Sequence, residues 1–355
     1  MSKVLITGAN GFIGSHLVRK FVREGHSVYG LVRTTSDLSL IADVDVSLRY
    51  GDISDYSTIE KSLDGMDIVI HNAGLASDWG SLESFRKVNL EGSINVAKAA
   101  VKNGILRMVY MSTTAIHGFN LDIPACEDSP LNPVFNYSIS KLEAEEWLFQ
   151  YGKQNDLEVA VIRPGNVYGP GDHTFMEKYM DATVSGKIAY VNRGQCFTCP
   201  TYAGNLVDGV YLAAFSSKAS GEAFIITDGL HITWKKFTEL IAAKLNVSPP
   251  KLSVPLAVGL VLASVSEGLY KLTGSDHSPL FTKYRMYNAG SNYHFSIEKA
   301  KNFLGFEPLT TLDEAIERTV LWYQQKHKDY DYNKKAIHQC NRCQHSLFLM
   351  DVLQG

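Results

Sequence analysis

Cysteine is scarce, at five in 355 residues. So sparse and odd a set is no disulfide framework, and it fits a reducing, cytoplasmic setting. An excess of either charge is also missing: 34 Lys+Arg face 37 Asp+Glu, for a net charge of −3. A nucleic-acid surface wants a basic stripe, so that class of partner is excluded. The chain opens with one Lys, then Val4–Ile6, then glycines, too short an apolar run for a secretory leader. The longest apolar run, Val254–Val265, spans roughly 12 residues and carries Pro255, whereas a membrane span needs about 20. It reads as a buried helix, with peripheral contact to a membrane surface as the alternative. There is no internal repeat and no low-complexity block. What remains is 45% hydrophobic and 20% charged residues, over a length that suits about two soluble domains.

The N-terminal half alternates. Short apolar runs recur at Val4–Ile6, Val28–Val32, Ile68–Ile70, Met108–Met111 and Val159–Ile162. Between them lie helix-period stretches, among them Ile13–Val22, Ser84–Val101 and Ser138–Gln150. This alternation predicts an α/β fold, a doubly wound parallel sheet with helices on both faces. Gly169-Pro170-Gly171 breaks the pattern. The last clear helix runs over 312–326, with Leu312, Ile316, Val320 and Tyr323 on one face.

A glycine turn joins the first strand to the first helix: Gly8, Ala9, Asn10, Gly11, Phe12, Ile13, Gly14. One glycine permits the tight turn, one lets backbone amides approach a pyrophosphate, and one lets helix and strand pack closely. Amides at the helix N-terminus then hold phosphate. This predicts a Rossmann domain over 1–168, with a return segment near 205–230. Residues 169–204 and 231–328 form a smaller, interleaved C-terminal substrate domain, and 329–355 a flexible tail. The second strand ends in Arg33. An acidic residue there takes a ribose 2′-hydroxyl, whereas an Arg suits a 2′-phosphate. NADP(H) is favoured, and NAD(H) stays open because Asp37 lies close by.

Tyr137-Ser138-Ile139-Ser140-Lys141 places a phenol and an ammonium at i and i+4 on one helix face. A free Tyr titrates near 10, and a neighbouring cation lowers that value. Reaching about 7 takes roughly 4 kcal/mol of differential stabilisation. The expectation is that Lys141, a bound nicotinamide and desolvation together shape that shift, making Tyr137 a general acid or base.

The TGxxGFxG form of the turn, followed by the Tyr-x-x-x-Lys pair, resembles the extended short-chain dehydrogenase/reductase superfamily over nearly the whole chain. The resemblance implies that Asp52 and Ile53 meet adenine. It implies that Asn72, Ala73 and Gly74 form a loop beneath the cofactor, and that Asn89 braces the active-site helix. It implies that Thr113, with Ser112 as the neighbouring candidate, supplies the hydroxyl that orients substrate toward Tyr137. Lys141 then also holds the nicotinamide ribose, and Pro164, Gly165 and Val167 pass the carboxamide. A homodimer through helices near 84–103 and 138–152 is implied as well, and no metal. The Cys/His cluster His338, Cys340, Cys343, His345 and the pair Cys196, Cys199 are therefore assigned none.

Within the superfamily, dehydratases carry acidic residues just after the catalytic Thr, where this chain has Thr114 and Ala115. Sugar-nucleotide enzymes place an Arg on the diphosphate, where this chain has Thr198. The region 250–327, from Pro255 through Phe295–Ala300 and Leu304–Pro308 to Trp322 and Tyr323, resembles 3β-hydroxysteroid dehydrogenases and their bacterial 3-oxoacid reductase relatives. The expected activity is alcohol–ketone interconversion on a hydrophobic substrate, with Ser77, Trp79 and Asn166 near it. A sugar-nucleotide 4-epimerase with tightly held NAD and a non-catalytic NADP(H) sensor are the alternatives.

Overall fold

The structure, a computed structural model, describes residues 1–273 and 277–328. The tail, with its four Cys and His positions, lies outside the described residues.

Seven parallel strands build the central sheet. They are β1 (Lys3–Thr7), β2 (Ser27–Val32), β3 (Ser47–Tyr50), β4 (Ile68–His71), β5 (Arg107–Met111), β6 (Glu158–Pro164) and, after four short strands, β11 (Ala223–Ile226). Their spatial order is β11-β6-β5-β4-β1-β2-β3. The chain winds outward from β1 to β3, then returns to β4 on the other side of β1. That reversal opens a crevice at the carboxyl ends of β1 and β4, where ligands bind in such sheets.

The short strands β7 (Asn166–Tyr168), β8 (Tyr190–Val191), β9 (Phe197–Thr198), β10 (Pro200–Tyr202), β12 (Ile232–Thr233) and β13 (Ser253–Val254) form three two-stranded ladders. The helices of the first half are α1 (Phe12–Arg23), α2 (Tyr56–Ser62), α3 (Leu82–Phe85), α4 (Gly92–Lys102) and α5 (Asn136–Gln154). A π-helical turn, Arg86–Glu91, joins α3 to α4. The second half adds α6 (Met176–Val184), α7 (Ala203–Phe215), α8 (Trp234–Leu245), α9 (Leu256–Thr273), α10 (Lys283–Gly290), α11 (Glu298–Leu304) and α12, over 312–328.

The centre of strand β1, Val4–Ile6, is apolar and buried because helices cover both its faces. Val4 and Ile6 enter one core with Leu17, Phe21 and Phe224, whereas Leu5 enters the other with Val69, Val96 and Tyr110. A third cluster, away from the sheet, joins Tyr168, Met176, Trp234, Phe237, Ile316 and Tyr323. The glycine turn is set by contact: a Cβ on Gly14 would fall 2.0 Å from the Gly8 carbonyl oxygen, and Gly8 itself has φ +65°.

One expectation is overturned. The apolar run becomes α9, of which only Gly259 and Ala263 are buried. Val258, Val261, Leu262, Val265 and Leu269 all face outward. Periodicity marks a stripe on a helix, but what lies over that stripe depends on distant segments. By length and composition alone the helix is apolar enough to cross a membrane.

Candidate active site

A cleft of about 430 Å³ opens at the carboxyl ends of β1, β2 and β4. Gly8, Asn10, Gly11, Arg33, Asp52, Ile53, Asn72, Ala73 and Gly74 all line it. Sequence reading missed several of its walls, among them Leu31, Ser36 and Val88. Phe12, Ile13 and Gly14 stand behind the turn, at the start of α1.

Arg33 is exposed at the cleft edge, and its guanidinium has no anionic partner among the described residues. Ser36 Oγ, beside it, accepts from the Arg33 amide at 3.1 Å. Asp37 is engaged within its own loop, where its Oδ1 accepts from the Ser39 amide at 2.9 Å. Asp52 lies at the far wall, where its Oδ1 accepts from the Ser54 amide at 2.8 Å.

The catalytic candidates meet on the other side of Gly74. A Cβ built on Gly74 would lie 3.4 Å from Lys141 Nζ. Lys141 donates to the Met111 carbonyl oxygen at 2.6 Å and sits 4.6 Å above the Tyr110 ring. Thr113 caps the turn after β5, where its Oγ accepts from the Ala115 amide at 3.1 Å, and its hydroxyl lies near enough to the Tyr137 phenol to influence its ionisation. Ser112 faces elsewhere, its Oγ donating to Glu145 Oε2 at 2.7 Å. The π turn aims Asn89 at this helix. Asn89 Nδ2 donates to Ser140 Oγ at 3.0 Å, and its Oδ1 accepts from the Leu75 amide at 2.7 Å.

The electrostatics run against the simple expectation for the Tyr–Lys pair. Burial pushes the Tyr137 phenol up to about 12, opposed by the nearby Thr113 hydroxyl. Burial also pushes Lys141 down to about 7, opposed by Glu145. Loss of water dominates both shifts, because removing either group from solvent disfavours its charged form. The protein's own groups therefore hold Tyr137 protonated at neutral pH.

Pro164 ends β6, and Gly165 and Val167 follow it at the same end of the sheet. Their backbone is largely engaged within the protein: Thr114 Oγ donates to the Pro164 carbonyl at 3.0 Å, and the Gly165 amide donates to Thr201 Oγ at 3.2 Å. Val167 pairs with Thr201 in the β7–β10 ladder. Asn166 is bonded on both sides of its amide, with Nδ2 to Thr198 Oγ at 3.2 Å and Oδ1 to Asn288 Nδ2 at 2.9 Å. Ser77 Oγ accepts from the Trp79 amide at 3.1 Å. Trp79 meets Tyr270 of α9 edge-on at 6.4 Å.

Between them Asp78, missed in the sequence, ties this loop to α10. Its carboxylate accepts from Thr282 Oγ at 2.7 Å and Ser278 Oγ at 2.9 Å, and pairs with Arg285 Nε at 2.6 Å. Phe119, Phe135, Tyr284 and Tyr287 pack ring against ring beneath α10, with centroids 5.2–6.2 Å apart.

Residues 4–226 match the NAD dependent epimerase/dehydratase family. The sterol-4-alpha-carboxylate 3-dehydrogenase, decarboxylating, of Mus musculus is 29% identical over 340 residues, covering 92% of each chain. The 2-alkyl-3-oxoalkanoate reductase of Stenotrophomonas maltophilia (strain K279a) is 26% identical over 331 residues, covering 89% of this chain and 98% of its own. Among solved structures, the crystal structure of gox2253 superimposes with a TM-score of 0.78 at 29% identity, over 92% of this chain and 99% of that one. A parallel sheet with its crevice beside β1 and dehydrogenase-named relatives along the whole fold agree with that match. The chain belongs to the NAD-dependent epimerase/dehydratase family, the extended short-chain dehydrogenases/reductases, and is an NAD(P)-dependent oxidoreductase.

Proposed function

We propose that this enzyme interconverts an alcohol and a ketone on a hydrophobic substrate, with NADP(H) as the preferred cofactor. The observation that carries the reading is the Thr113–Tyr137–Lys141 constellation, set against Gly74 at the end of the glycine-lined cleft.

The residues present fit a dinucleotide. Gly8 and Gly14 leave no room for side chains at the turn, and Arg33 offers an uncommitted guanidinium at the cleft edge. Gly11 and the start of α1 would hold the pyrophosphate. Arg33 and Ser36 would hold a 2′-phosphate. A nicotinamide cofactor bound there supplies or accepts the hydride.

The chain's own groups manage the proton. Thr113 orients the substrate oxygen toward Tyr137. In reduction the protonated phenol donates to the developing alkoxide, and in oxidation the phenolate takes the hydroxyl proton. Lys141, which donates to the Met111 carbonyl oxygen, would hold the nicotinamide ribose. Asn89 fixes this helix by its bond to Ser140.

A hydrophobic substrate suits the aromatic wall beneath α10, where Tyr284 lies within electrostatic reach of Tyr137. Such walls line apolar ligand sites. The position expected to carry a diphosphate-binding Arg in sugar-nucleotide enzymes holds Thr198, which is buried and bonded to Asn166. The test is turnover on a panel of 3-hydroxysteroids, 2-alkyl-3-oxo acids and aromatic ketones, followed by the absorbance of reduced nicotinamide. Turnover of UDP-glucose with none of these would refute the reading in favour of epimerisation.

A further inference from the structure

Tyr137 and Lys141 have a third companion. Glu145 stands one further turn along the same face of α5. Its side chain is 2% exposed, so its charge needs partners. It finds them at the ends of two neighbouring strands. Ser112, just after β5, donates to Oε2 at 2.7 Å. Arg163, at the end of β6, donates from Nε to Oε1 at 3.1 Å, and its Nη2 bonds Oε1 as well. Arg163 Nη1 reaches on to the Glu127 carbonyl oxygen at 3.1 Å and His117 Nε2 at 3.4 Å. Each partner adjoins a working segment, Ser112 next to Thr113 and Arg163 next to Pro164 and Gly165.

We propose that Glu145 is a positioning residue, whose buried carboxylate locks Thr113 and the Pro164–Gly165 segment in register with the Tyr137–Lys141 face. The inference rests on the reading of that face as the site of chemistry. A carboxylate gripped by a guanidinium fork has a narrow range of good geometries. A slide or roll of α5 against β5 or β6 breaks bonds that water cannot replace in so buried a place. The bonds of the lock run to Ser112 and Arg163 and hold geometry, and the carboxylate also favours the charged form of Lys141, an influence that Ser112→Ala leaves in place. A misplacement of about 1 Å can cost a factor of about 100 in rate.

The test uses the full chain as wild type, Glu145→Gln, Ser112→Ala, the double variant, and Tyr137→Phe as reference. Thermal unfolding, NADPH affinity by fluorescence, and kcat and KM on the fastest ketone of the panel are measured for each. Gln keeps the shape and one acceptor oxygen. The expected result is a fall in kcat of about 10- to 100-fold for Glu145→Gln in folded protein, with NADPH affinity changed less than about threefold. Ser112→Ala should lower kcat as well, and the double variant should be no worse than Glu145→Gln, because both cut one link. A kcat within about twofold of wild type, or losses that multiply, would overturn the proposal. If Glu145→Gln does not fold, Ser112→Ala alone decides by the same kcat criterion. A fully active Tyr137→Phe would instead sink the underlying reading, whereas an inactive Tyr137→Phe beside an active Glu145→Gln sinks only this inference.

Discussion

Replacing Arg33 with Ala should weaken NADPH binding and leave NADH binding nearly unchanged. The guanidinium ends β2 at the cleft edge, exposed and without an anionic partner among the described residues. A hydrogen bond to a charged group contributes about 1.5–3 kcal/mol when shielded from water. Exposed pairs contribute about 0.2–1 kcal/mol. Arg33 sits between these cases, because a bound nucleotide would cover one side of it. An intermediate figure of about 1.4–2 kcal/mol corresponds to a loss of roughly 10- to 30-fold in affinity. Fluorescence titration with each reduced cofactor measures this directly. Salt provides a second check, since screening shortens from about 10 Å at 0.1 M to about 3 Å at 1 M. The proposed preference for NADPH should therefore shrink as salt is added, and the variant should show little of that trend. Equal losses for NADH and NADPH would refute the phosphate assignment and place Arg33 on a part common to both cofactors.

Other outcomes follow from the same geometry. Tyr137→Phe should lower kcat by about 100- to 10,000-fold while cofactor affinity holds, and steady-state kinetics with fluorescence binding would show both. Because burial holds the Tyr137 phenol well above neutrality, alcohol oxidation, which needs the phenolate, should quicken as pH rises. Ketone reduction should stay level until the phenol ionises, so pH profiles in the two directions must differ, and coincident profiles would discount Tyr137 as the proton carrier. Gly14→Ala should leave little folded protein or strip cofactor binding, since the added carbon collides with the Gly8 carbonyl; circular dichroism and thermal unfolding would detect it. Asp78→Ala should release α10 and raise KM for the hydrophobic substrate by about tenfold, leaving NADPH affinity alone, because the loss of a charge pair and two hydroxyl partners weakens that contact by roughly 1–2 kcal/mol.

Much of this protein was legible in its sequence because the relevant signals are local. The turn from β1 into α1 is fixed by glycine spacing, and the Tyr137–Lys141 face by one helical turn. Arg33 and Asn72–Gly74 follow short apolar runs that alternation reveals, whereas Asp52 follows the half-polar β3 and, like the roles of Asn72–Gly74, was implied only by the family resemblance of its segment. The strength of the Tyr–Lys pairing was not legible. Spacing shows that two groups are neighbours, but the phenol rises because water is excluded from both, and exclusion is a property of the packed whole.

The sequence by itself determined the doubly wound α/β class, the order of its motifs and the placement of Tyr137 and Lys141 on one helix face. Tertiary structure alone decided what lies far apart in the chain. Ser112 meets Glu145 across 33 residues, Asn89 meets Ser140 across 51, and Asp78 meets Thr282 across 204. It also decided that the apolar stripe of α9 faces outward, where the sequence reads as core. The reason is the same in each case. Periodicity encodes which residues share a face, whereas the partner of that face is set by strand order and by loops that close only when the sheet has formed.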